Sequence, residues 1–139
     1  MLLVKTYLNT SKINGIGIYA KHDIPKNTII WKFTHGVDKI YTLKNLIGMP
    51  DLDREFLETY CFKYHGKLYL CVDNSRFMNH SEEPNCIDIG DDNIKKSDVG
   101  YTMTARHILA GEELTCDYRG FGVTAEDLEF NTEGVIIKL

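Results

Sequence analysis

Residues Arg76 to Cys86 (RFMNHSEEPNC) gather an arginine, a histidine, two asparagines and a cysteine around one proline. A second stretch, Gly111 to Tyr118 (GEELTCDY), holds two glutamates, a cysteine, an aspartate and a tyrosine. A third, Asn14 to Ala20 (NGIGIYA), offers a backbone with two side chains missing. Each has a plain reading and a chemical one. Asn79 and Asn85 can bond their own backbone as turn residues, and His80 can be a structural hydrogen-bonding group. A Cys86–His80 nucleophile pair would need a third group to orient the imidazole. A metal site would need further His or Cys at ligand spacing, and none is present, so no metal is expected. The remaining option is a pocket that reads a polar ligand. The G-x-G lacks the following helix of a dinucleotide fold. It marks either a bend at a strand entry or a place where a ligand lies against bare backbone. Glu112 and Glu113 read as solvated or structural, and Tyr118 alone reads as a core aromatic. Taken one at a time, these stretches leave their alternatives open.

The elements that must position them are mostly strands. LLVKTY, GIGIYA, TIIWKF, YCFKYHGKLYLCV, GYTMTA and ELTCDY are short, β-branched or aromatic, and bounded by turn residues. Pro25-Lys26-Asn27 and Ala110-Gly111-Glu112 read as tight turns, and His65-Gly66 as a hairpin closure. The pattern predicts a helix over Asp51 to Thr59, capped by Asp51, with Leu52, Phe56, Leu57 and Tyr60 on one face. A second short helix is predicted from Thr124, where TAED resembles a capping box. Ile89 to Asp98 reads as a charged loop.

A chain of 139 residues with 43% apolar and 26% charged residues is expected to form one globular domain with its own core. No run reaches membrane-spanning length and the N-terminus lacks a signal-peptide layout, so an intracellular protein without a membrane role is expected, with cytoplasm and nucleus or chromatin both open. Four scattered cysteines without C-x-x-C suggest free thiols in a reduced compartment. The net charge of −4 argues against direct nucleic-acid binding and is compatible with a cationic substrate.

The ordered set is more specific than its parts. GIG near the start, RFMNHSEEPNC in the middle and ARHILAGEELTCDY near the end together resemble the SET-domain methyltransferases, over about residues 1–121. The chain is similar to the minimal stand-alone SET domains of viruses and bacteria. The resemblance implies a mostly β (α+β) fold of small curved sheets, with a knot-like C-terminal crossing and one or two short helices. It implies S-adenosylmethionine-dependent methyl transfer to lysine side chains of a protein or peptide substrate, with histone tails, ribosomal proteins and a host protein all open. By resemblance, Asn79 and His80 bind S-adenosylmethionine, and Asn14, Gly15, Ile16 and Gly17 lay backbone along it. Phe121 stacks near the adenine. Tyr118 is the active-site tyrosine, and Tyr60 stands in the lysine channel. Arg76 and Phe77 anchor the strand below, while Ser81, Pro84 and Asn85 hold the crossing. Cys116 occupies the family's Tyr/Phe switch position for product methylation state; its plain reading is a core filler.

The chain departs from the family at the zinc-binding post-SET tail. Glu82 stands where a cysteine follows Asn-His-Ser, and no cysteine follows Cys116. Residues 122–139, or a second subunit in a homodimer, are expected to close the active site instead. Two other readings stay open: a catalytically inactive SET-fold module that binds a peptide or cofactor, and a thiol hydrolase using Cys86 and His80.

Overall fold

The computed structural model describes residues 1–64, 66–89 and 100–118. Within them, ten short strands form four small sheets, with two helices on one flank. β1 (Thr6–Thr10) and β2 (Ile16–Ala20) are an antiparallel hairpin in which Thr10 faces Ile16 and Thr6 faces Ala20. The turn between them tightens at Gly15, whose φ of +49° lies in the left-handed region, and the Ser11 amide donates to the Gly15 carbonyl. β3 (Ile29–Lys32), β9 (Tyr101–Thr104) and β8 (Cys86–Ile89) make a three-stranded antiparallel sheet in the order β3-β9-β8. β4 (Lys39–Tyr41), β6 (Lys67–Leu70) and β5 (Cys61–Tyr64) make another, in the order β4-β6-β5. The last pair, β7 (Asn79–His80) and β10 (Thr115–Cys116), is parallel, and it brings the two motif-rich stretches together.

Burial follows strand alternation. In β2, Ile18 and Ala20 are fully buried while Ile16 is exposed. They join Ile30, Trp31, Ile108, Leu114 and Cys86 in the main core, which lies beneath the β7–β10 crossing. A smaller core of Leu46, Leu57, Leu68 and Leu70 sits under α1 (Leu43–Leu46) and α2 (Asp51–Tyr60). Each such aliphatic side chain contributes about 2 kcal/mol on burial. No helix among the described residues is long and apolar enough to cross a membrane.

Most of the expected strands and both expected tight turns are present, with Asn27 at φ +63° and Gly111 at φ +89°. The β5–β6 hairpin closes on the Tyr64–Lys67 pair, with Gly66 at φ +68°. Several expectations need correction. The first strand begins at Thr6 rather than Leu2; Leu2 makes only an isolated bridge to Trp31, because its amide is taken by the Asp73 carboxylate. ELTCDY contracts to Thr115–Cys116 as a strand, since its partner β7 is two residues long. Asp51 is not the cap of α2: Pro50 is the N-cap, and Asp51 is the first helical residue, paired with Arg54. There it favours the positive end of the helix dipole. Nor does the whole apolar stripe face the core. Leu57 is buried, but Leu52 is 78% and Phe56 43% exposed. The i, i+4 stripe runs along the flank, and Phe56 packs on Tyr60 (centroids 4.9 Å) instead of the leucine core. The elements with no expectation were β4, α1, a 3-10 turn over Asn74–Phe77, the two-residue β7 and β8. The helix from Thr124, residues 90–98 of the charged loop, Phe121 and the closing segment 122–139 lie outside the described residues.

Candidate active site

The crossing is held by side chains that the sequence placed near one another only by motif. Asn85, 5% exposed, spans it. Its Nδ2 donates to the Glu113 carbonyl (2.7 Å), and its Oδ1 accepts from the Thr115 amide (2.9 Å). Its own amide donates to Thr115 Oγ1 (3.2 Å), and its carbonyl accepts from Ala105. The Ser81 amide donates to the Cys116 carbonyl (3.0 Å), extending the parallel pair by one residue. A buried asparagine with its amide satisfied at both ends fixes register, because any slip strands those groups without water.

Asn79 sits at the front of this pair and is 9% exposed. Its Nδ2 lies within hydrogen-bond reach of three oxygens: the Asn14 carbonyl (3.1 Å), the Ile16 carbonyl (3.2 Å) and Glu113 Oε1 (2.9 Å). Three acceptors around one atom identify it as the nitrogen and leave Oδ1 as the outward acceptor. The Asn79 amide thus joins the Asn14–Gly17 backbone to β7. Glu113 completes the join. Its carboxylate accepts from Ser11 Oγ (2.8 and 3.0 Å), Tyr19 Oη (3.3 Å) and Asn79. Gly17 is required there: a Cβ at that position would lie 2.2 Å from Glu113 Oε1. Glu113 is the site residue that sequence reasoning missed. Its only signal was its place before Leu114 in GEEL, which locally reads as a turn. Its neighbour Glu112 is purely structural, gripping Arg106 through both oxygens and the Leu109 amide.

His80, the second residue of β7, accepts at Nδ1 from the Tyr118 amide (3.1 Å) and lies 3.6 Å from Asp117 Oδ1. The Tyr118 hydroxyl donates to the Met78 carbonyl at 2.5 Å. Burial, and then the neighbouring Cys116 thiol, push the Tyr118 phenol up to about 12. Its hydroxyl is therefore neutral at physiological pH and is no base.

Behind Tyr118 lies a cavity of about 150 Å³, lined among others by Trp31, Tyr60, Asp88, Thr102, Cys116 and Tyr118. Tyr60, the last residue of α2, reaches it from the helix, and Cys116 and Tyr118 from the crossing. Arg76 and Phe77 are in a 3-10 helix (Asn74–Phe77) below it. The Arg76 guanidinium lies over the rings of Tyr60 (5.6 Å) and Phe77 (5.0 Å). Cys116 is 6% exposed, so it belongs to the core and also to the cavity wall.

The structure thus brings Asn79 together with Asn14, Ile16 and Gly17, and Tyr60 together with Cys116 and Tyr118. It gives the thiol reading no support. Cys86 is fully buried, its thiol is pushed up to about 12 by burial and then by Asp88, and its Sγ donates to Asn85 Oδ1. A thiol held protonated is a poor nucleophile, and His80 Nδ1 is already engaged by Tyr118. All four cysteines are free, and among the described residues no three His, Cys, Asp or Glu side chains cluster as a metal site.

A sequence model of the family described as "SET domain" matches residues 15–119. Histone-lysine N-methyltransferase 2D of Homo sapiens is 30% identical over 123 residues, covering 81% of this chain and 2% of that protein. Histone-lysine N-methyltransferase trr of Drosophila melanogaster is 34% identical over 119 residues, covering 81% of this chain and 5% of that protein. The chain therefore spans a small fraction of the length of these relatives. Among solved structures, a humanized mutant of the Chaetomium thermophilum Polycomb Repressive Complex 2 bound to the inhibitor GSK126 shares the fold. Its TM-score is 0.64 at 19% identity, over 86% of this chain and 16% of that one.

Proposed function

The chain belongs to the SET-domain family, and from that premise we propose that it transfers methyl groups from S-adenosylmethionine to lysine side chains of a protein, with histone tails as first candidates. The single observation that carries this reading is the convergence of Tyr118, Cys116 and Tyr60 on one cavity, next to the two-residue crossing that holds Asn79.

The Asn79 side of the crossing suits the cofactor. The carbonyls of Asn14 and Ile16, the Glu113 carboxylate and Asn79 Oδ1 form an acceptor-rich edge with no cationic side chain among its hydrogen bonds. Such an edge favours a ligand that brings positive charge and N–H donors, as the ammonium and sulfonium of S-adenosylmethionine do. When bound, that molecule supplies an electrophilic methyl group. Asn79, His80 and the Asn14–Gly17 backbone hold it, and we extend this role to Phe121.

The cavity side would handle the amine. A lysine with pKa about 10.4 costs roughly 4 kcal/mol to present neutral near pH 7.4. The aromatic walls of Tyr60 and Tyr118 strip water from it, which favours the neutral form. Because the Tyr118 proton is committed to Met78, its oxygen presents lone pairs to the reacting centre. These accept a hydrogen bond from the amine or weak C–H···O contacts from the methyl group. Methyl transfer is an in-line displacement, so fixing donor and acceptor on opposite faces of one rigid crossing supplies much of the rate.

The reading is tested by calorimetric titration with S-adenosylmethionine, followed by labelling of a cell extract with the methyl-tritiated form. Saturable binding that Asn79→Ala weakens, with protein labelling that falls about 100-fold in rate for Tyr118→Phe, is expected. Binding without any labelled protein would leave a cofactor-binding module instead.

A further inference from the structure

Asp88, in β8, is a carboxylate on the wall of the cavity that Tyr60, Cys116 and Tyr118 share. Among the described residues its one hydrogen bond is from Thr102 Oγ1 (2.5 Å), and it has no ion-pair partner. Two cations also border the cavity, but neither neutralises it. The Arg76 guanidinium lies over the Tyr60 and Phe77 rings, and no salt bridge joins Asp88 to it or to Lys63. Burial, and after it the like charge of Asp117, holds the Asp88 carboxyl above the usual range, against the Thr102 hydrogen bond. An uncompensated carboxylate in a largely apolar cavity is unfavourable and is relieved by a cation. A second observation concerns the polar atoms of the cavity wall. Trp31, 6% exposed, lines it with Nε1 unpartnered, as does Arg76 with Nε. Buried polar groups without partners are rare and mark a place that water or a ligand completes.

We propose that Asp88 is the counter-ion for the methylated ammonium that forms in this cavity, making it a receptor for that group walled by Tyr60 and Tyr118. The proposal rests on the methyltransferase reading and narrows it to the residue that selects charge. Methyl transfer moves positive charge from the sulfonium onto the amine nitrogen, which forms an N–C bond as the S–C bond breaks. A carboxylate near the accepting nitrogen stabilises the charge where it appears and not where it started. Aromatic faces add to the attraction for a quaternary or tertiary ammonium. The small Cys116 side chain on the same wall leaves room for the added methyl groups.

Trp31 is the only tryptophan in the chain, so its fluorescence reports occupancy of the cavity without any need for turnover. The test is a titration with choline and with dimethylbutanol, its uncharged tert-butyl isostere. In the wild type, choline is expected to change Trp31 fluorescence saturably and to bind about tenfold or more tighter than the isostere. In Asp88→Asn, which keeps the shape and the acceptor for Thr102, that preference should fall to near unity with the melting temperature little changed. Equal affinity for the two probes in the wild type, no response to either, or an undiminished preference in Asp88→Asn overturns the proposal. The wild-type comparison stands even if the variant fails to fold. Because no methyl transfer is involved, loss of this preference leaves the transferase reading intact. Preserved preference in a chain that labels no protein would count against transfer alone.

Discussion

On the Asn79 side of the β7–β10 crossing, one carboxylate, Glu113, accepts from Ser11, Tyr19 and Asn79, and Asn79 in turn touches two backbone carbonyls. On the Tyr118 side, the cavity wall carries two buried donors without partners, Trp31 Nε1 and Arg76 Nε, and the singly bonded carboxylate of Asp88. The same four-residue ladder separates a surface finished by the protein from one left for a ligand to finish. The first is pre-organised, so a ligand meets fixed acceptors and little ordering cost is left at binding. The second leaves buried polar groups without partners, and in the proposed reaction it would be where water, an amine and successive methyl groups exchange.

Cutting the shared support should damage both sides at once. Asn85→Ala leaves the Glu113 carbonyl and the Thr115 amide without partners in the interior, a loss of about 3 kcal/mol or more. Thermal melting should show the midpoint lower by roughly 10 °C, and an unchanged midpoint would mean the crossing does not hold the fold. Tyr118→Phe should instead act on one side only. Removing the hydroxyl is expected to lower kcat by about 100-fold while the affinity for S-adenosylmethionine stays within a few-fold. Steady-state kinetics paired with calorimetry would read the two separately. The pH profile adds a sign. Since the Tyr118 phenol is pushed up to about 12, activity should climb as lysine loses its proton and show no falling limb from tyrosine ionisation below about pH 10.

Smaller effects are expected on the pre-organised side. Gly17→Ala places a methyl group against a Glu113 carboxylate that its hydrogen bonds prevent from yielding. Affinity for S-adenosylmethionine should drop by about tenfold, with Glu113→Gln giving a weaker loss; equal affinity in both variants would show that the join at Asn79 is not what positions the cofactor. The smallest effect concerns product distribution. Cys116→Tyr fills part of the cavity and should shift the product from higher methylation toward monomethyl-lysine, as mass spectrometry of a saturated reaction would show. An unaltered distribution would reduce Cys116 to a filler of the core.

The legible part of this architecture was local. β2, β3 and β9 announce themselves by β-branched alternation, and Gly66 and Gly111 by turn chemistry. β4 is three residues long and carries two lysine- or tyrosine-rich positions, too short to show a period. β8 begins at the last residue of the polar motif, whose chemistry masked a strand that is only four residues long. On α2 the stripe of Leu52, Phe56 and Tyr60 has the right spacing, yet spacing alone does not say which side meets the smaller core. The crossing itself was readable only by resemblance. Two residues of parallel pairing between distant segments leave no periodic trace. Glu113 and Asp88 escaped for the same reason: a carboxylate's partners are set by tertiary contact, and neither position differs locally from a solvated acid.

The central claim is that this crossing joins a cofactor edge to a lysine-accepting cavity. The most direct test is a reaction of purified protein, S-adenosylmethionine carrying an isotopically labelled methyl group, and a mixture of histones and other basic proteins, analysed by tandem mass spectrometry. The account predicts labelled methyl groups on lysine Nε atoms, formed by the wild type and about 100-fold more slowly by Tyr118→Phe. Labelled methyl groups on another residue type, or equal labelling by wild type and Tyr118→Phe, would contradict it.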